Sequence, residues 1–188
     1  MTDAGSPADT DTSPAVSADS VSTTPHRVPV PSVQQMSQVE CGAASLGMIL
    51  AHYGRWVSLQ ELRGACGISR DGATALDLKH AGEHYDLEVE GHLGEVGDLD
   101  GLAAPAIVWF RRSHFVVLEG AHRGKYHIND PGSGRYTMSA RDFTDNYSGA
   151  ALTFRKGDGF AKGGHPFLSL IHISSPRDLV GNLVFRHQ

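Results

Sequence analysis

Apolar residues change their spacing once along this chain, after Tyr85, and that switch limits the folds open to it. Upstream, Leu46, Ile49, Leu50 and Tyr53 recur at i, i+3, i+4 and i+7, which predicts a helix over Cys41 to Tyr53. Gly54 stands where such a helix stops. Ser58 and Glu61 have the spacing of a capping box and predict a second helix that ends near Cys66-Gly67. A third is predicted over Thr74 to Tyr85, with Leu76 and His80 turned inward and Leu87 following them. Downstream, Leu87-Glu88-Val89-Glu90 alternates as a strand does, and Pro105 to Phe110 and His114 to Leu118 are short apolar runs. Lys125 to Asn129 and Arg135 to Met138 flank the turn Asp130-Pro131-Gly132-Ser133-Gly134, and Ala150 to Arg155 closes the series. Helices first and strands second make an α+β fold, with N-terminal helices packed on an antiparallel sheet.

The 188 residues, 40% of them hydrophobic, suffice for one domain with a real core and loose ends. Residues 1–27, rich in Ser, Thr, Asp, Ala and Pro, are expected to be a disordered tail, because they carry too little apolar surface to offset ordering entropy. Residues 28–160 are expected to form the domain, and 161–188 a linker and a tail outside the fold. In that tail Phe167 to Ile173 is apolar but is broken by Ser174-Ser175-Pro176, too short to span a bilayer. No signal sequence opens the chain, and the reading that follows is a cytoplasmic protein. A net charge of -5 without a basic patch gives no electrostatic reason to bind nucleic acid. Cys41 and Cys66 alone make neither a disulfide framework nor a zinc motif, so free thiols in a reducing compartment are expected.

Cys41 falls at the start of the first predicted helix, where the macrodipole and free N–H groups favour thiolate. Gly42, Ala43 and Ala44 after it are small enough to let a substrate backbone come close. His114 enters an apolar strand from a polar loop and suits the part of a base, though His52, His80, His84, His92, His122 and His127 compete for it. Asp130 opens a turn, where its carboxylate caps the backbone, orients a histidine, or does both. Gln35 lies shortly before Cys41 and can offer its amide to an oxyanion beside the Cys41 N–H, with Gln34 and Gln38 as alternatives. Cys, His and Asp in this order suit nucleophilic thiol catalysis.

The stretch Gln35-Met36-Ser37-Gln38-Val39-Glu40-Cys41-Gly42-Ala43-Ala44-Ser45-Leu46 resembles the signature of bacteriocin-processing peptidase domains of peptide-exporting ABC transporters. His114-Phe115-Val116-Val117-Leu118 and Asp130-Pro131-Gly132-Ser133-Gly134 resemble that family's histidine and aspartate motifs in the same order, and the likeness covers about Val28 to Gly159. Ala51-His52-Tyr53-Gly54-Arg55-Trp56 resembles members linked to precursors with nitrile-hydratase-type leaders. The resemblance implies a papain-like fold and cleavage after a double-glycine-type motif in a leader peptide. It makes Cys41 the nucleophile, His114 the base, Asp130 the third member and Gln35 the oxyanion donor. It implies as partners a leader-bearing precursor and the transmembrane and ATPase parts of a transporter, and places the domain at the inner face of the membrane. No cofactor is expected here; the chain lacks the Gly-x-x-x-x-Gly-Lys-Ser/Thr phosphate loop, so ATP would bind only in the transporter part, of which this chain would be a separated piece. Two other classes compete: a leader-binding module that does not cut, and a metal site built from Cys41, His114 and Asp130.

Overall fold

The computed structural model describes residues 27–99 and 102–166. The expected tail before Arg27 and the segment after Pro166 lie outside the described residues. Helix α1 spans Cys41–His52, α2 Leu59–Ala65 and α3 Ala75–His84. The strands are β1 (Leu87–Leu93), β2 (Ala106–Phe110), β3 (His114–His122), β4 (Lys125–Asp130), β5 (Gly134–Ser139) and β6 (Tyr147–Lys156), with a fourth helix, α4 (Ala140–Asn146), before β6. They make one six-stranded antiparallel sheet in the order β1-β6-β2-β3-β4-β5. The last strand in sequence slots between β1 and β2, so the sheet closes only when the chain returns through β6.

The starts of α2 and α3 have a chemical reason. Ser58 accepts the Glu61 N–H at 3.1 Å, and Thr74 accepts the Asp77 N–H at 3.2 Å while Asp77 reaches back to the Thr74 N–H at 2.8 Å. At Ser58 only half of the expected capping box forms, because the Glu61 carboxylate accepts from the Tyr85 hydroxyl instead. Gly54, at φ 94°, ends α1 in the left-handed region as the sequence suggested.

Helix α1 buries Leu46, Ile49 and Leu50 and every other residue from Cys41 to Ala51, since β3 covers one side and α2, α3 and the segment around Val33 cover the rest. One expectation about facing is overturned. In α3, Leu76 and His80 point to solvent, Leu76 being 58% exposed; the buried residues are Leu78, Ala81 and Gly82. The phase of that helix is set by the close approach of Gly82 to Val89 of β1 and Phe154 of β6.

The sheet is covered on both faces. Ile107, Phe115, Val117, Leu152 and Phe154 pack with α1 and α3, while Val108, Phe110, Val116, Leu118 and Ile128 pack with Phe143 of α4. The sequence reading missed α4, although Ser139 caps it through the Asp142 N–H at 3.1 Å. Hydrogen bonds reach both ends of the expected domain. Val28 N–H donates to the Glu119 carbonyl at 2.7 Å, and Arg27 pairs with the Glu119 carboxylate at 2.8 Å. Beyond Phe160, Trp56 N–H donates to the Gly163 carbonyl at 2.7 Å, so backbone hydrogen bonding continues past the expected boundary although residues 161–164 are exposed.

Candidate active site

The strand register brings the site together. Asn129 of β4 faces Val117 of β3, and continuing that antiparallel register sets His114, the first residue of β3, beside the turn after Asp130. His114 Nε2 lies 2.8 Å from Asp130 Oδ1. The same carboxylate caps its own turn: Oδ1 accepts the Gly132 N–H at 2.7 Å and Oδ2 the Ser133 hydroxyl at 2.8 Å. Asp130 thus both shapes the turn and orients the histidine.

Helix α1 lies across the start of β3, where the Ser45 hydroxyl donates to the Phe115 carbonyl at 3.3 Å. That contact points the first residue of α1 at the first residue of β3, and the Cys41 thiol is hydrogen-bonded to the His114 ring. Because Asp130 takes Nε2, the nitrogen left for the thiol is Nδ1. Of the competing histidines, His92 bonds Thr153 at 2.8 Å and His52 is engaged by the Pro29 backbone and the Tyr53 ring, so His114 is the partner of Cys41.

The electrostatics favour an ion pair. Burial pushes the Cys41 thiol up, but the hydrogen bond from His114, backbone hydrogen bonds at Phe115 and Gly42 and the imidazolium charge outweigh it and hold the pKa below the ordinary thiol value. The bond to Asp130, then the bond to Cys41, raises His114 to about 9 against the opposing effect of burial. Burial pushes Asp130 up, yet the His114, Gly132 and Ser133 hydrogen bonds bring it down to about 2. Cys66 shows the contrast: burial, with Asp77 nearby, drives it up to about 12.

Gln35 is carried to the same place by backbone pairing, its N–H donating to the Pro131 carbonyl at 3.0 Å. Its side-chain amide packs against Gly132, and its Oε1 is buried without a hydrogen-bond partner. Unpaired buried polar atoms in native structures gather at functional sites. Gln38 instead joins Val39, Cys41, Gly72, Ala73 and Trp109 in lining a cleft over the thiol. The small residues after Cys41 serve packing and not substrate approach: a Cβ on Gly42 would sit 3.0 Å from Leu78 Cδ2 and 3.3 Å from Phe115, and Ala43 and Ala44 are fully buried.

Two residues of this region were not singled out from sequence. Glu40 is buried before Cys41. Glu119, fully buried at the end of an apolar run, accepts from Val30 N–H at 3.1 Å, Arg135 at 3.0 Å and Asn129 at 3.3 Å, fixing the strap that leads to Gln35. Parity could have revealed Glu119, which shares the inward face of β3 with Phe115 and Val117.

A model of the peptidase C39 family matches residues 29–159. The chain is 32% identical over 131 residues to the colicin V secretion/processing ATP-binding protein CvaB of Escherichia coli, covering 70% of this chain and 19% of that protein. It is 31% identical to the probable microcin-H47 secretion/processing ATP-binding protein MchF of the same organism, with the same coverage of each. The chain therefore spans about a fifth of the length of these relatives. Among solved structures it resembles a double glycine motif protease from an AMS/PCAT transporter in complex with the leader peptide, at TM-score 0.67 and 40% identity over 69% of this chain and 94% of that one. The peptidase domain of Streptococcus ComA, a bi-functional ABC transporter, matches at TM-score 0.64 and 25% identity over 68% and 99%.

Proposed function

The chain belongs to the peptidase C39 family, and from that premise we propose that it is a cysteine endopeptidase that removes the leader from a ribosomally made, bacteriocin-like precursor after a double-glycine-type motif. The observation that carries this reading is the His114–Asp130 bond at 2.8 Å beside Cys41 at the start of α1, with the thiol and the ring each favouring the other's charged form, next to a cleft. The Cys41 thiolate attacks the carbonyl carbon of the last leader residue. The tetrahedral oxyanion is met by the Cys41 N–H and the Gln35 amide. Imidazolium His114 gives its proton to the leaving amine through Nδ1, and a thioester remains on Cys41. His114 then takes a proton from water as the water attacks the thioester; the C–S bond breaks, the leader leaves with a free carboxyl end, and Cys41 thiolate and His114 imidazolium are restored, while Asp130 keeps the ring in one tautomer throughout.

Gly72, Ala73 and Trp109 line the cleft that holds the thiol, and the reading requires glycine or another very small residue on both positions before the cut. Domains of this kind occur in proteins named for secretion and processing. We place this one on the cytoplasmic side of a membrane transporter whose transmembrane and ATPase parts would handle the mature peptide. Among the described residues no helix is long and apolar enough to cross a membrane.

Incubation with a synthetic double-glycine precursor, followed by mass spectrometry, tests the reading. Wild type should release leader and core as two masses. A precursor with Leu at the last leader position should stay intact, and Cys41→Ala and His114→Ala should cut neither. An intact wild-type reaction that still retains the leader on a pull-down would replace the peptidase reading with a leader-binding module.

A further inference from the structure

We infer that Glu40 is a positioning residue, which holds the segment between Gln35 and Cys41 so that the two oxyanion donors face one point. It rests on the assignment of Cys41 and Gln35 above but not on the identity of the peptide cut. Glu40 is 1% exposed and lies directly before Cys41. A carboxylate in such a place has to be fully hydrogen-bonded, and it is. Oε2 accepts the Met36 N–H at 2.7 Å and the Ser37 N–H at 2.9 Å, and Oε1 accepts from Arg63 Nη1 of α2 at 2.8 Å. The two backbone donors are those immediately after Gln35.

Geometry shows what this arrangement does. Residues Gln38–Glu40 form a single 3-10 turn, capped at Ser37, that runs straight into α1. One end of the turn continues to Gln35, anchored on the Pro131 carbonyl; the other end is Cys41. Glu40 folds back over the turn and fastens its entry to its exit. Gln38 and Val39, on the turn, also form a wall of the cleft over the thiol. Arg63 is half-exposed and completes the carboxylate's bonding from outside, without reaching the cleft. Cys41 is held to His114 by other means, the seating of α1 on β3. Glu40 should therefore govern attack on carbonyls, which needs the oxyanion donors, more than the reactivity of the thiolate itself.

Two reagents separate these effects. p-Nitrophenyl acetate acylates the thiolate through a tetrahedral oxyanion: the S–C bond forms at the carbonyl and p-nitrophenolate leaves. Iodoacetamide alkylates the same thiolate by displacing iodide from a saturated carbon, with no oxyanion. The ratio of the two rate constants at Cys41 is read in the full chain, with Cys41→Ala as the blank. Glu40→Ala should lower the ratio about tenfold to a hundredfold, the scale for a displaced oxyanion donor, with alkylation unchanged. Glu40→Gln, which keeps an oxygen for the Met36 and Ser37 N–H groups, should restore the ratio. If Glu40→Ala does not fold, Glu40→Asp carries the test, since its shorter chain cannot span the same donors; it should lower the ratio too. An unchanged ratio, or an equal fall in both rates, overturns the assignment. Because neither reagent needs a leader, the result stands whether or not the precursor is cut; failure of precursor cleavage with a normal wild-type ratio would instead overturn the proposed substrate.

Discussion

The two thiols of this chain differ by surroundings alone. Cys41 gains His114 and two backbone partners, whereas Cys66 gains only burial and a nearby carboxylate. In the folded chain at neutral pH, iodoacetamide with peptide mapping should label Cys41 well before Cys66; equal rates would remove Cys41 from the chemistry. The pH behaviour follows from the same environment. Cys41 is held below the ordinary thiol value and His114 near about 9, so the thiolate–imidazolium pair fills the interval between them. The kcat/KM profile for a double-glycine peptide should rise through the first value and fall through the second. Asp130 is the largest influence raising His114, so Asp130→Ala should move the upper limb to lower pH while leaving measurable activity. A falling limb that stays in place would deny Asp130 its orienting role. In stability, the raised His114 contributes fully below its ordinary 6.5 and loses this through about 9; the depressed Asp130 contributes fully above 3.8 and loses this through about 2. Cys41, His114 and Asp130 were legible because each sits at a change of local pattern: a helix start, a strand entry and a turn. Glu40 was not read, although Ser37-Gln38-Val39-Glu40 has capping-box spacing and its carboxylate accepts the Ser37 N–H; its bonds to Met36 N–H and Arg63 lie outside that rule.

At the scale of elements, existence and order could be read but facing could not. Period and caps gave α1, α2, α3 and the strands, because those signals are local. Which side of α3 turns inward depends on β6, far along the chain, and periodicity alone put Leu76 and His80 on the wrong side. The deciding contacts are at glycines. A Cβ on Gly82 would lie 2.8 Å from Val89 Cγ2 and 3.4 Å from Phe154, both buried on the neighbouring strands. Val89 is β-branched and cannot swing aside cheaply. Gly82→Ala should therefore destabilise by about 1–3 kcal/mol in urea unfolding, despite the better helix propensity of alanine. Gly42→Ala meets instead the ends of Leu78, a longer and more adaptable side chain, and should cost less. Adding Val89→Ala to Gly82→Ala should recover part of the loss relative to the sum of the two single changes. Additive losses would mean that Val89 does not set the seam. Helix α4 escaped notice for a different reason: one apolar residue, Phe143, anchors it, stacking on Tyr126 at 4.0 Å, and a single aromatic gives no period to detect.

For the whole molecule, composition marked a boundary where apolar content falls, but among the described residues backbone hydrogen bonds run past it. After β6 the chain turns at Gly157, whose N–H donates to the Asp86 carbonyl at 2.9 Å, and lays Phe160 against Tyr53 with ring centroids 5.9 Å apart. It then crosses the loop that follows α1. Gly163 accepts from Trp56 at 2.7 Å and donates to the Gly54 carbonyl at 3.2 Å, a short parallel bridge with Arg55. Gly164, at φ 73°, is required there, because a Cβ would overlap the Trp56 carbonyl oxygen. These bonds are backbone-to-backbone, so composition does not reveal them. Two truncations measure what they contribute. A chain ending at Gly164 keeps the bridge and one ending at Phe160 loses it. Two backbone hydrogen bonds at about 0.5–1.5 kcal/mol each predict a gap of about 1–3 kcal/mol. For a domain of this size that corresponds to roughly 2–10 °C in thermal midpoint. The site itself is built from α1, β3 and the turn after β4, away from the bridge, so at a temperature where both are folded the two truncations should cut a double-glycine peptide at the same rate. Equal midpoints would return the boundary to Phe160; unequal rates would show that the bridge reaches the site.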